Sequence, residues 1–127
     1  MTGHLLRPLD RIHGDSRFGA IRRLGARAGD GLLFVRALAN SLGRTRLGLA
    51  VGRDAGPSVR RSRLRRVFRE AFRLNRARLP EGLDLLVSPR GGAAGASLAE
   101  LTESLVRLAG QVAARLAERG GAEEGGR

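Results

Sequence analysis

Arg60-Arg61-Ser62-Arg63-Leu64-Arg65-Arg66-Val67-Phe68-Arg69-Glu70-Ala71-Phe72-Arg73 carries two patterns at once. At about 100° per residue, Leu64, Val67, Phe68, Ala71, Phe72 and Leu74 share one arc of a helix. Arg63, Arg65, Arg66, Arg69, Arg73 and Arg76 fill the opposite arc. Nine arginines fall between Arg60 and Arg78, with Glu70 as the one acid among them. One face is shaped to dock on a core and the other to meet a polyanion. Proline is tolerated in a first helical turn, so Gly56-Pro57 opens the predicted helix, which runs to about Arg78 and stops before Pro80.

Outward from this helix the chain reads as short elements. Arg46 to Arg53 is a strand in which Leu47, Leu49 and Val51 project to one face and Gly48, Ala50 and Gly52 to the other. Three small residues on one face leave a shallow floor. Either a second backbone approaches it or a helix packs tightly over it. Gly31 to Leu38 is an earlier strand, joined to it by the turn Asn40-Ser41-Leu42-Gly43. Asp15 or Ser16 caps a short helix through Phe18, Ile21 and Leu24 that ends at Gly25. Downstream, Gly82 to Ser88 is a third strand and Pro89 to Ala96 a flexible Gly/Ala-rich loop. Ser97-Leu98-Ala99-Glu100 matches a capping box. It opens a helix with a stripe of Leu98, Leu101, Leu105, Leu108, Val112 and Leu116. The expected fold is α+β, a small single-sheet α/β sandwich in the order α-β-β-α-β-α, with the sheet covered on one face. Residues 15–119 are expected to form the folded domain, residues 1–14 a flexible N-terminal arm and residues 120–127 a disordered tail.

Composition narrows the function. The chain has 127 residues, 42% of them hydrophobic, which suffices for one modest core. Its formal net charge of +12 favours RNA, DNA or an anionic membrane as partner. All 24 basic residues are arginine. A GC-rich genome produces that bias, so placement of the charge informs more than the choice of Arg over Lys. There is no cysteine, which excludes disulfides and thiolate metal sites. With no long apolar run and no secretory core, a cytoplasmic protein without membrane attachment is expected.

Catalytic chemistry is not legible in the side chains. The acids Asp10, Asp15, Asp30, Asp54, Glu70 and Asp84 are dispersed, whereas a Mg²⁺-dependent nuclease needs them clustered. Glu70 reads as an orienting ion pair within the arginines. His4 and His13 lie in the arm without a third ligand at suitable spacing, so no metal site is expected. Phe68 and Phe72 belong to the core, leaving Phe18 and Phe34 as candidate stacking platforms for unpaired bases, with a core position the alternative for Phe18 on its amphipathic turn. This protein binds and does not cut.

Arg46-Leu47-Gly48-Leu49-Ala50-Val51-Gly52-Arg53 followed by Val59 to Phe72 resembles the protein subunit of bacterial ribonuclease P. The family's pattern is a small-residue strand, a short loop and an Arg-Asn-Arg helix ending in Arg-Glu. Leu79-Pro80-Glu81-Gly82-Leu83-Asp84-Leu85 is similar to the family's link into its next strand, and Ser97 to Leu108 to its last helix. The resemblance implies a left-handed crossover through the basic helix, against the general rule. It also implies a division of labour. An RNA subunit carrying Mg²⁺ hydrolyses precursor tRNA, releasing the 5′ leader. The non-catalytic protein docks on that RNA and holds the leader, with no obligate protein partner. Carried onto this chain, Arg53, Arg61, Ser62, Arg63, Arg65, Arg66, Arg69 and Arg73 would contact the catalytic RNA. Phe18, Arg22, Phe34, Arg36, Gly48 and Ala50 would line the leader cleft. The chain departs from the pattern at Ser62 for the motif's Asn and at Asp54 for a usual base. Arg22 and Arg36 stand where the family usually has aromatics. Arginine can stack its guanidinium plane on a base in their place.

Three other readings compete. A ribosomal or RNA-assembly protein would use the same helix on structured RNA without catalysis. A DNA-binding regulator would present Asn, Gln or Ser to base edges, which this face does not. A membrane-surface helix would need its apolar face free, yet the core requires Phe68 and Phe72.

Overall fold

Leu33, Val35 and Ala37 are fully buried while Phe34, Arg36 and Leu38 are half-buried, and this period of two makes Leu33–Ala39 a strand with two distinct faces. The computed structural model describes residues 8–125. Its strands are β1 (Ala26–Gly29), β2 (Leu33–Ala39), β3 (Arg46–Leu49) and β4 (Leu83–Pro89), and its helices α1 (Asp15–Leu24), α2 (Ser58–Leu74) and α3 (Leu98–Gly125). One sheet carries the strands in the order β1-β2-β4-β3. The β1–β2 and β2–β4 pairs are antiparallel, and β3 runs parallel to β4. Parallel neighbours need a crossover, and α2 supplies it. The α+β class and the order of helices agree with the sequence reading.

β1 is an additional strand. Ala26-Arg27-Ala28-Gly29 has no β-branched or aromatic residue to announce it. The tight turn into β2 makes it: the Leu32 and Leu33 amides donate to Asp30 Oδ1 at 2.8 and 2.9 Å. Asp30 Oδ2 accepts from Ser104 Oγ at 2.5 Å and pairs with Arg107, tying the hairpin to α3.

Two cores form, one on each side of the sheet. α2 and α3 cover one face, where Leu64, Phe68, Phe72, Leu101, Leu105, Leu108 and Val112 meet Leu33, Val35, Leu85 and Val87. Each such side chain stabilises the fold by about 1.5–3 kcal/mol. The second face is also covered, contrary to expectation. α1 lays Ile21 and Phe18 over Leu86 and Leu38, joined by Ile12. The floor read from Gly48 is thereby occupied, since a Cβ built on Gly48 would lie 2.6 Å from Phe18 Cε1. A glycine is what lets the helix come this close.

Several boundaries differ from the sequence reading, each for a local reason. α2 ends at Leu74, because Asn75 Nδ2 donates to the Ala71 carbonyl at 2.9 Å and Arg76–Arg78 tightens into a 3₁₀ turn. Leu74 is consequently exposed, and outside the core arc assigned to it. β3 stops at Leu49. The arm is partly docked: Arg11 bridges to Leu47, and the buried Ile12 donates its amide to the Leu47 carbonyl at 3.1 Å. His4 lies outside the described residues, and His13 is exposed. The Gly/Ala-rich loop contains a 3₁₀ turn over Gly91–Gly95, pinned by the Arg90 amide on the Leu32 carbonyl and by buried Ala93 and Ala96. The capping box is made as read, with Ser97 N on Glu100 Oε1 at 2.9 Å and Glu100 N on Ser97 Oγ at 3.1 Å. α3 then continues to Gly125, through much of the segment whose composition suggests a tail.

A carboxylate sits where α1, β2, β3 and β4 meet. Asp84 is fully buried and accepts from Arg17 Nε at 2.7 Å, Asn40 Nδ2 at 2.8 Å and Arg46 Nε and Nη2 at 2.9 and 2.8 Å. Burial alone would raise its pKa, but the bonds from Arg46, Arg17 and Asn40 outweigh it and hold it at about 2, below the ordinary 3.8. A folded-state pKa below the unfolded one gives stability that is complete above the ordinary value and lost as pH falls towards about 2. Acid titration followed by circular dichroism should show roughly 2 kcal/mol lost in that window, and Asp84→Asn should remove it. At neutral pH that variant should cost about 3–5 kcal/mol, because Arg17 and Arg46 lose their partner. Gly48→Ala should destabilise by about 1–3 kcal/mol through overpacking against Phe18. In urea melts, adding Phe18→Ala should recover part of that loss.

Candidate nucleic-acid interface

The arginine face is built by anchoring α2 on its apolar side. With Leu64, Phe68, Ala71 and Phe72 buried, Arg60, Ser62, Arg63, Arg66 and Arg73 are exposed, and Arg61, Arg65 and Arg69 half-buried. Gly56, at φ +116°, turns the chain into the helix, and its carbonyl accepts from Arg61 Nε at 3.2 Å. That backbone conformation favours glycine. Arg53 is exposed in the short turn Arg53–Ala55 between β3 and α2. Glu70 makes the ion pair read from the sequence, accepting from Arg73 Nε at 2.9 Å. Arg76 falls outside the helix and off the arginine face: it pairs with Asp10, and its guanidinium lies 4.9 Å from the Phe72 ring centroid.

Positive charge is crowded rather than neutralised along this face. Burial, together with the guanidiniums of Arg11 and Arg65, lowers the pKa of Arg69. Arg11 was read as part of the arm. The backbone bridge to Leu47 brings it there, an effect of register that no local pattern announces.

Two grooves flank α2. The smaller, of about 170 Å³, lies between Arg11, Phe18, Leu49, Arg65 and Arg69. The larger, of about 560 Å³, is lined by Arg22, Arg36, Ala50, Asp54, Arg65 and Ser88, among others. Arg65 and Leu49 line both, so the helix face and the large groove are continuous. The six cleft residues read from the sequence therefore separate into two sets. Arg22, Arg36 and Ala50 gather around the large groove, with Phe34 beside them as the cross-strand partner of Ser88. Phe18 and Gly48 close on each other, half-buried and buried respectively, instead of offering an open platform.

Phe34 is not a bare platform either. The guanidinium carbon of Arg36 lies 4.7 Å from its ring centroid and that of Arg90 lies 4.9 Å from it. At such distances a cation is held by the ring quadrupole. Arg90 and Arg27, cross-strand partner of Arg36, join this surface, and both were missed in the sequence. Among the described residues no three His, Cys, Asp or Glu side chains gather as metal ligands, and no helix is long and apolar enough to cross a membrane.

Comparison with known proteins gives this geometry a family. A family model described as Ribonuclease P matches residues 6–113. The ribonuclease P protein component of Pelotomaculum thermopropionicum is 35% identical over 103 residues, spanning 81% of this chain and 92% of its own. That of Syntrophobacter fumaroxidans is 33% identical, spanning 80% and 87%. The solved RNase P protein of Thermotoga maritima superimposes with a TM-score of 0.74 at 28% identity, covering 80% of this chain and 96% of that one. The Staphylococcus aureus RNase P protein, at 24% identity and a TM-score of 0.69, shares the fold. With its strand–loop–arginine-helix signature matched over most of its length, the chain belongs to the bacterial ribonuclease P protein family, components of a tRNA-processing ribonuclease.

Proposed function

We propose that the two surfaces divide the work of a ribozyme's protein cofactor: α2 docks on the catalytic RNA, and the large groove holds the 5′ leader of precursor tRNA. One observation carries the reading. Exposed Arg60, Arg63, Arg66 and Arg73 continue through half-buried Arg65 and Arg69 into the groove without a break, since Arg65 lines it. Guanidinium forks suit phosphate oxygens, and each phosphate neutralised releases condensed counterions. Arg53, Arg61 and Ser62 extend the docking face at its N-terminal end.

Among the described residues the carboxylates do not gather as ligands for a protein-held Mg²⁺. Asp84 and Asp30 are engaged by arginine, and Asp54 stands apart from other acids. Mg²⁺ bound by the RNA subunit would supply the hydrolytic chemistry. The protein positions the leader and lowers the repulsion between RNA backbones, which reduces the Mg²⁺ needed to bring them together.

The test is cleavage of precursor tRNA by a bacterial ribonuclease P RNA at low Mg²⁺. Strong rescue by the protein, with no cleavage by the protein alone, is expected. Absence of rescue with a matched RNA would instead favour a ribosomal or RNA-assembly role. If about six phosphates are neutralised, affinity for the RNA subunit should fall by roughly three decades between about 50 and 200 mM salt. Arg65→Ala combined with Arg69→Ala should weaken RNA binding and flatten that salt dependence. Its circular dichroism spectrum should stay folded, because the buried arc of α2 is Leu64, Phe68, Ala71 and Phe72.

A further inference from the structure

β1 gathers charges that the sequence keeps apart. Arg27 faces Arg36 directly across the antiparallel β1–β2 pair, so both side chains leave the same face of the sheet. Arg22 lines the groove with Arg36, and Arg90 shares the Phe34 ring with it. Like charges placed directly opposite in a sheet are destabilising. Burial, Arg27 and Arg22 together lower the pKa of the Arg36 guanidinium. Its Nε is buried with no hydrogen-bond partner. Among the described residues no carboxylate pairs with any of these four arginines. The one acid lining the groove, Asp54, reaches it from the β3 side, across the sheet from β1.

An arrangement that places like charges together and leaves a buried donor without a partner suits an anion. We propose that Arg22, Arg27, Arg36 and Arg90 form a phosphate site at the β1 edge of the groove, which grips a phosphodiester of the precursor's leader. This rests on the reading of the groove as the leader's seat. It changes how the leader is held. With two guanidiniums over Phe34, the ring supports cations in place of a stacked base, and the cations grip the backbone. Arg22 and Arg36 then serve a hold that is indifferent to the base. Arg27 and Arg90 complete it. The same chemistry would accept a phosphate of the RNA subunit, so the test separates the two sources.

The experiment uses holoenzyme assembled on a matched RNA subunit, with Arg27→Gln and Arg27→Lys. Three affinities are measured: precursor tRNA with a leader, the same tRNA without one, and protein for the RNA subunit alone. For Arg27→Gln the leader's contribution to affinity should shrink about tenfold, the size of one charged hydrogen bond. The salt slope for leader-bearing substrate should fall by about 0.7, the value for one single-stranded phosphate. Arg27→Lys should keep that slope. A leader carrying one neutral methylphosphonate linkage at the gripped position should bind wild type and Arg27→Gln alike, whatever base it bears. Relief of the Arg27–Arg36 repulsion should raise the melting temperature of Arg27→Gln. A leader contribution that survives fully in Arg27→Gln would overturn the phosphate site and leave the leader groove standing. No leader contribution in wild type would overturn both. A loss confined to RNA-subunit affinity would assign the phosphate to that RNA, and a lowered melting temperature would make Arg27 structural; either overturns the proposal.

Discussion

The Asp84 carboxylate holds the rest of the architecture in register. It is buried at the start of β4, the strand that pairs with β2 on one side and β3 on the other. Its oxygens are filled by Arg46 from β3, Arg17 from α1 and Asn40 from the end of β2. An unpaired buried carboxylate is costly, so each of these elements is constrained to one position. Arg17 also donates to the Ala39 carbonyl at 3.0 Å, and the Asn40 amide bonds the Gly82 carbonyl at 2.8 Å. The parallel β3–β4 pair, and hence the direction in which α2 crosses, is fixed at this junction. The same junction seats α1, which forms one wall of the groove.

The excess of positive charge is tolerated because it is sorted by position. Arginines needed for folding are paired: Arg17 and Arg46 with Asp84, Arg76 with Asp10, Arg78 with Glu103 and Arg107 with Asp30. On α2 and at the β1 edge, among the described residues, Glu70 is the one acid paired with an exposed arginine. A protein whose stability came from surface ion pairs would spread its acids more evenly. Here the paired acids serve the scaffold, and the remaining cations form a field suited to a polyanion.

The groove is lined by charge more than by open aromatic rings. Arg36 on β2 puts a guanidinium over Phe34, and Arg90, just after β4, adds a second. Phe18, meanwhile, is committed to covering Gly48. Neither phenylalanine presents the open ring that stacking on a base requires.

Much of this protein was legible because its signals are local. The two-faced helix follows from spacing within Leu64 to Phe72, the capping box from Ser97 and Glu100, and the α+β class from the alternation of periods along the chain. The exposed arginines of α2 are legible for the same reason, since burying one arc of the helix exposes the other. What the sequence by itself determined is therefore which side chains must be buried together and which must face solvent. Only the tertiary structure decided the contacts made across strands and between layers. β1 exists because a turn and a partner strand hold it, not because of its own composition. Arg11, Arg27 and Arg90 reach the arginine-rich surface through strand pairing and ring contacts, and Phe18 is covered because a glycine lets α1 settle over the sheet. Asp84 looked like one dispersed acid among many until folding brought Arg17, Asn40 and Arg46 around it. Periodicity carries the first kind of information along the chain; the second exists only once distant residues are neighbours.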